Sequence, residues 1–162
     1  MNFDLSATLP GETMPQPSIL PRSPSSPAEW DAYFDLRWRI LRHPWNQPRG
    51  SERDSLDQSA FHLLVADDSG RTLACGRLHL NSPSEAQVRY MAVDEDVQGR
   101  GYGSAILAGL EAEARRLNVS QVVLNARDNA IVFYRKHGYA TTGEADTLFE
   151  SVRHVRMAKI LR

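Results

Sequence analysis

The order of apolar and polar residues predicts a helix at the start of the patterned part of the chain. Ser26-Pro27-Ala28-Glu29 is a capping box with proline at the first helical position, and apolar side chains from Trp30 to Leu41 follow at helical spacing. Such a stripe is typical of a core-facing helix, which we expect to end before Pro44. The next segment, 43–58, is rich in charge and turn formers and predicts a loop with a short helical turn.

Strands and two further helices are predicted beyond this loop. The helix with the clearest periodicity carries Ile106, Leu110 and Leu117 on one face. Asp128 or Asn129 is expected to cap a short helix. Six segments have strand composition: FHLLVA (61–66), TLACGRLHL (72–80), QVRYMAV (87–93), SQVVLNA (120–126), YATTGEA (139–145) and LFESVRHVRMAKIL (148–161).

The first 25 residues differ from the rest. Five prolines among Ser, Gly and Thr oppose both helix and central strand, so we expect an extended or disordered arm over residues 1–25 and one folded domain over residues 26–162. The apolar pair Ile19 and Leu20 leaves open whether the arm packs on the domain or a partner subunit, or is a simple leader.

Composition narrows the class of partner. Nineteen Lys and Arg against twenty Asp and Glu give a net charge of -1, which offers no field for nucleic acid or an anionic membrane. No segment has the length of a membrane span or the pattern of a secretion signal. The single cysteine, Cys75, lies in an apolar run and is interpreted as buried, which agrees with a reducing compartment. We expect a cytoplasmic protein whose partners are small molecules.

The segment VQGRGYGS places Gly99, Gly101 and Gly103 between a predicted strand and a predicted helix. Free amides and the helix dipole converge there, which is typical of a phosphate site, although a tight structural turn needs glycines too. The lysine of a P-loop is missing. A dinucleotide fingerprint would have glycine at Ser104, so a dinucleotide-binding oxidoreductase stays a remote alternative.

Two flanking motifs resemble the GCN5-related N-acetyltransferase (GNAT) superfamily. Gln98, Gly101 and Gly103 match its first signature, and Phe133-Tyr134 with Gly138-Tyr139 matches its second. The segment SVRHVRM near the C-terminus, with His154, is similar to the broad subgroup around the ElaA-like proteins. The resemblance implies an α/β fold with a mixed sheet of six to seven strands, splayed in the middle and flanked by about four helices.

The resemblance also implies an acyl-CoA site. The pantetheine arm would pair with the backbone of Met91 to Val93, and a backbone N–H near Met91 would hold the oxyanion. Tyr134 would protonate the leaving sulfur, although it also suits simple packing against the sheet. The implied CoA-binding residues are Met91, Ala92, Val93, Gln98, Gly99, Arg100, Gly101, Tyr102, Gly103, Ser104, Asn125, Asn129 and Tyr134. Asn129 can equally be a helix cap, and Arg100 can equally face solvent.

The sequence defines the binding site of the acceptor amine less clearly. His154 matches a histidine of the ElaA-like subgroup and is a candidate base, with a structural role as the alternative. The loop Glu52-Arg53-Asp54-Ser55-Leu56-Asp57, with Arg77, resembles a pattern in acyl-homoserine-lactone synthases. Those carboxylates either attract a cationic amine or belong to a solvated loop. Four residues are therefore candidate substrate contacts: Glu52, Asp57, Arg77 and His79.

Together these features predict an N-acetyltransferase that moves an acetyl group from acetyl-CoA to the primary amine of a small molecule or peptide. Direct attack in a ternary complex is expected, with acetyl-CoA as cosubstrate and no metal. The alternatives are a non-catalytic acyl-CoA-binding module and an acyl-homoserine-lactone-synthase-like acyltransferase. The family resemblance also makes a homodimer a possibility.

Overall fold

The computed structural model describes residues 19–162, which form three α-helices and a six-stranded mixed sheet. The helices are α1 (Pro27–Leu41), α2 (Tyr102–Arg116) and α3 (Ile131–Lys136). The strands are β1 (Phe61–Ala66), β2 (Thr72–Ser82), β3 (Glu85–Val93), β4 (Gln121–Arg127), β5 (Ala140–Glu144) and β6 (His154–Ile160). The predicted α/β fold is confirmed, with 3₁₀ turns in place of a fourth helix.

The sheet runs in the order β1-β2-β3-β4-β6-β5, and its one parallel pair, β3 with β4, lies at the centre. This pair is short, since it joins Glu85 to Val88 of β3 with Gln121 to Leu124 of β4. Further along, β3 stays paired with β2 and β4 stays paired with β6. The sheet is therefore split in the middle, as the family resemblance implied.

Two apolar clusters cover the two faces of the sheet. The cluster with α1 contains Tyr33 and Leu36, while the cluster with α2 contains Ile106 and Leu110. Neighbouring strand residues alternate between the clusters, as the pleat of a strand requires. In the first cluster lies Cys75, fully buried as expected, and burial raises the pKa of its thiol to about 12.

The alternation changes phase inside β3. Val88 and Met91 both pack on the α2 side, although they are three positions apart and regular alternation would put them on opposite faces. Tyr90, two positions after Val88, packs on the α1 side. Tyr90 has φ of 57°, and the register with β2 shifts here, which together define a β-bulge. The bulge lies where β3 separates from β4.

Helix boundaries follow the sequence signals at α1 and depart from them at α3. Ser26 accepts a hydrogen bond from the amide of Glu29 at 3.2 Å, and α1 ends at Leu41, as predicted. The expected capping of α3 by Asp128 or Asn129 is wrong. Both residues already lie in a 3₁₀ turn, so neither has the extended backbone of a capping residue.

The chain at residues 19–25 packs on the domain. Arg22 pairs with Leu64 through two backbone hydrogen bonds of 2.8 and 2.9 Å, which adds a bridge to the outer edge of β1, and Ile19 contacts the α2 cluster. The rest of the predicted arm, residues 1–18, lies outside the described residues. None of the α-helices in residues 19–162 is long and apolar enough to cross a membrane.

Candidate active site

The split between β3 and β4 opens into a cavity of about 780 Å³. Its walls come from β3, the glycine loop, the end of β4, α3, the C-terminus of α1 and the segment before β6. Of the sequence-predicted site residues, the cavity brings together Met91, Ala92, Val93, Gln98, Gly99, Gly101, Tyr102, Gly103, Ser104, Asn125, Asn129, Tyr134 and His154. These residues span 64 positions of the chain, from 91 to 154, so the fold assembles the site from several elements.

One wall is the bulged end of β3. The bulge at Tyr90 turns the backbone of Met91 to Val93 along the cavity, where β4 has already diverged. A strand edge without a neighbouring strand presents N–H and C=O groups that an extended ligand can pair with.

The glycine loop forms one end of the cavity. Gly99 and Gly101 have φ of 76° and 88°, a region that favours glycine, and Gly101 is the N-cap of α2. The first amides of α2 have no acceptor within the helix, so they and the helix dipole favour an anion here. Gly103 packs near Phe133, and a Cβ at this position would make ordinary van der Waals contact with the ring at 3.4 Å. Arg100 is exposed and does not line the cavity.

A histidine connects the glycine loop with α3. His137 Nδ1 lies 2.8 Å from the carbonyl oxygen of Phe133, so this nitrogen donates, and Nε2 accepts from the Ser104 hydroxyl at 3.0 Å. The link fixes the start of α2 relative to the helix that carries Tyr134. These contacts give His137 a structural role.

Tyr134 on α3 is buried with its side chain against the cavity. Burial raises the pKa of Tyr134 well above its usual value, and the nearby Arg127 guanidinium acts in the opposite direction. The phenol is therefore protonated at neutral pH and chemically able to act as a proton donor.

His154 begins β6 and is also buried at the cavity wall. Burial lowers the pKa of His154, Arg127 lowers it further, and the Val152 carbonyl, which accepts from Nδ1 at 2.9 Å, opposes the change. The imidazole is therefore neutral at physiological pH, which is the form able to accept a proton.

The four residues predicted to contact the acceptor lie elsewhere, outside the cavity lining. Arg77 is fully buried and donates to Asp57 at 2.8 Å, and Asp57 also accepts from Arg37 at 3.0 Å. Glu52 is buried and accepts from the amide of Gly50, while His79 lies 3.3 Å from Arg77. The ion pairs of Asp57 with Arg77 and Arg37 hold the 43–58 loop against the sheet, and the Glu52 carboxylate binds within its own loop. The interpretation of these carboxylates as part of a solvated loop is therefore wrong.

Sequence reasoning missed three arginines that line the cavity: Arg42 after α1, Arg89 on β3 and Arg127 at the end of β4. The Arg127 guanidinium lies 4.4 Å from the ring centre of Trp45, and Arg42 lies 5.3 Å from that of Phe149. A basic residue just after a helix is a common sequence feature, so the pattern held no signal for a site.

Comparison with known proteins identifies the family. Residues 45–161 match the acetyltransferase (GNAT) domain family, which is well over half of the chain. The chain therefore belongs to the GNAT acetyltransferase family. Among curated proteins it is 28% identical over 129 residues to the uncharacterized N-acetyltransferase YjcF of Bacillus subtilis, covering 80% of this chain and 90% of that one.

Solved structures share the fold. Escherichia coli ElaA superposes with a TM-score of 0.73 at 19% identity, over 88% of this chain and 99% of its own. A GNAT family acetyltransferase from Elizabethkingia anophelis, solved with acetyl-CoA bound, gives a TM-score of 0.67 at 15% identity, over 89% of this chain and 97% of that one. The predicted resemblance to the GNAT superfamily and to ElaA is confirmed.

Proposed function

We propose that this protein transfers the acetyl group of acetyl-CoA to the primary amine of a small molecule by direct attack in a ternary complex. The observation that carries the proposal is the cavity at the split of the sheet, with an anion-binding loop at one end and Tyr134 in its wall. Membership of the GNAT family supports acyl transfer over dinucleotide chemistry.

The described residues suit CoA in three ways. The loop from Gln98 to Ser104 offers backbone amides to a pyrophosphate, with the glycine conformations already described. The backbone of Met91 to Val93 offers a strand edge to the amides of pantetheine. Asn125 and Asn129 add side-chain amides to the cavity. Acetyl-CoA supplies a thioester, whose carbonyl carbon is open to attack by an amine.

The protein groups then have defined tasks. The Met91 amide donates to the carbonyl oxygen as negative charge develops there, a type of contact whose loss can cost about 3 kcal/mol in catalysis. A C–N bond forms, the C–S bond breaks, and the Tyr134 hydroxyl gives its proton to the sulfur. Arg127 stabilises the phenolate that remains. The amine reacts as its neutral form, and His154 is the proposed acceptor of its proton.

The test measures thiol release from acetyl-CoA with a panel of primary amines, with the acetylated product identified by mass. We expect Tyr134→Phe to lower kcat by about 10²-fold or more while the affinity for acetyl-CoA stays within about twofold. Tyr139→Phe is the matched control, because this buried hydroxyl binds Glu111 at 3.1 Å and does not line the cavity. Unchanged turnover of Tyr134→Phe across pH would refute the acid role.

A non-catalytic acyl-CoA-binding module predicts a different result in the same assay, namely binding of acetyl-CoA with no thiol release for any amine. The cytoplasmic location and the homodimer stay predictions. Gel filtration with light scattering tests the homodimer directly.

A further inference from the structure

Two guanidinium groups donate hydrogen bonds to the same backbone carbonyl oxygen in the wall of the cavity. The Leu41 carbonyl oxygen, at the C-terminus of α1, accepts from Arg42 Nη1 at 2.8 Å and from Arg127 Nη2 at 3.3 Å. Arg42 is 7% exposed, and its Nε donates to the Ser51 carbonyl at 3.0 Å. The fold thus brings together two guanidinium groups that are 85 positions apart in the chain.

Neither charge is balanced within residues 19–162. Neither guanidinium group forms an ion pair with a carboxylate of these residues. Both pKa values are lowered, chiefly by burial, and neighbouring arginines act in the same direction, while Tyr90 near Arg42 and Tyr134 near Arg127 act in the opposite one. The other buried arginines are paired, since Arg37 and Arg77 both donate to Asp57. Arg89, the third arginine of the cavity lining, pairs with Asp54 at 3.3 Å, so within the described residues the missing counter-ion is specific to Arg42 and Arg127.

Helix capping does not account for two full charges at this point. A helix C-terminus carries roughly half a negative charge, so Leu41 and its neighbours offset only part of two guanidinium ions. Like charges so close repel, and removing them from water adds a further cost. Such an arrangement persists where an anion binds, because a bound anion removes both penalties at once.

The surroundings hold the two groups in place. The rings of Trp45 and Phe149 stack on each other at 6.3 Å, and each lies near one of the guanidinium groups. Phe149 and the next residue, Glu150, both have positive φ, at 51° and 62°. Backbone strain of this kind is common where a turn positions a side chain at a functional site.

We propose that the acceptor amine also carries an anionic group, a carboxylate, that binds between Arg42 and Arg127. The proposal rests on the proposed acetyl transfer and names its substrate class as amino acids and related small acids with a primary amine. Asp146, the one acidic residue in the cavity lining within the described chain, is available to the ammonium form of the same substrate. The sequence alone gave no indication of an anionic group on the acceptor.

The experiment compares amines that differ only in the carboxylate. Thiol release from acetyl-CoA is measured for phenylalanine with 2-phenylethylamine, lysine with 1,5-diaminopentane, and 4-aminobutanoate with propylamine. O-phosphoethanolamine tests a phosphate in place of the carboxylate. The thermal midpoint of the CoA-saturated protein is recorded with each compound, which detects binding without turnover.

We expect at least one acid to exceed its decarboxylated partner at least tenfold in kcat/KM. Arg42→Met should abolish that preference by raising KM. Arg127→Met should abolish it as well and also lower kcat for every amine, because Arg127 acts on the Tyr134 phenolate, and Arg127→Lys, which keeps the charge, should restore part of both. Arg135→Met is the control, since Arg135 is exposed on α3 and does not line the cavity.

The outcomes separate the two proposals. If acetyl-CoA neither binds nor releases thiol, the proposed function is wrong. If acetyl-CoA binds, but every acid fails to react or bind better than its partner amine, the acceptor inference alone is overturned. A strong preference for O-phosphoethanolamine over all carboxylates would also overturn it, in favour of a phosphorylated amine.

Discussion

Removing the charge of Asp57 tests whether the 43–58 loop is held by buried ion pairs. Asp57 Oδ1 accepts from Arg37 at 3.0 Å and from Arg77 at 2.8 Å, and Oδ2 accepts from the Asp54 amide at 2.9 Å. Both arginines are fully buried, and the Nε atom of each already has no partner. In Asp57→Asn the amide oxygen can still accept a hydrogen bond, but Arg37 loses the one carboxylate with which it forms an ion pair in the described chain, while Arg77 keeps Asp54.

The expected cost is large because one buried cation is left without a counter-ion. Breaking a buried ion pair from one side typically costs about 3–5 kcal/mol. For a chain of this size each kcal/mol lowers the melting midpoint by about 2–4 °C, so the midpoint should fall by about 6–20 °C. Burial alone would raise the pKa of Asp57, but hydrogen bonds from Arg37, the Asp54 amide and Arg77 lower it overall.

The pH dependence of the stability follows from the lowered pKa of Asp57. A carboxylate whose pKa is lowered by folding stabilises the native state above its unfolded pKa, and this contribution disappears as the pH falls through the folded pKa. The same holds for Asp54, whose pKa is lowered to about 2 despite partial burial, through Arg77 and the Leu56 amide. The difference in stability between wild type and Asp57→Asn should therefore be full at pH 7 and shrink below about pH 4.

Chemical denaturation at pH 7 and at pH 3.5 measures both effects. Asp68→Asn is the matched control, because Asp68 is exposed in the turn between β1 and β2. An Asp57→Asn variant with wild-type stability and a raised KM for the amine would refute the structural reasoning and support the original substrate role of Asp57.

The remaining predictions concern the sheet, the loop and the proposed base. Gly76→Ala places a Cβ 2.7 Å from Ile106 Cγ2 and from Met91 Sδ. Urea unfolding should therefore show a free energy of unfolding lower by about 1–3 kcal/mol. An unchanged free energy would mean that α2 can move away from the sheet. In Gly101→Ala, an alanine at φ of 88° costs about 1–2 kcal/mol of backbone strain. Because the strained loop no longer keeps its shape, calorimetric titration should find weaker binding of acetyl-CoA. Equal affinity would argue against a preformed loop. With His154 as the base, its lowered pKa places the acidic limb of the pH profile of kcat/KM below pH 6.5. The profile of His154→Gln should lack that limb. An unchanged profile would contradict the assignment of His154 as the base.

Local sequence signals predicted most of the fold. Ser26 and Pro27 determine the start of α1, and apolar alternation identified all six strands, because these features act over a few residues. The C-terminal segment was predicted too long. Residues 148–153 form a tight turn in which Phe149 and Glu150 have positive φ, and side chains of this kind give no local indication of such a backbone.

The candidate site was predictable only where motifs exist. Gln98, Gly101 and Tyr134 belong to family signatures, and the cavity includes them. Arg42 and Arg127 meet only through the packing of α1 against the split sheet, so one sequence could not pair them. The same long-range packing explains the 52–57 loop, in which Asp57 binds Arg37 and Arg77, and Asp54 binds Arg77.

The most direct test of the central claim is a thermal-shift titration of the wild-type protein with acetyl-CoA, CoA, NADH and NADPH. A ligand at a hundredfold its dissociation constant adds about 2.7 kcal/mol of stability, which corresponds to a midpoint several degrees higher for a chain of this size. The account predicts such a shift with acetyl-CoA and CoA and none with the nicotinamides. A shift with NADH or NADPH alone would contradict acyl-CoA binding at the split of the sheet.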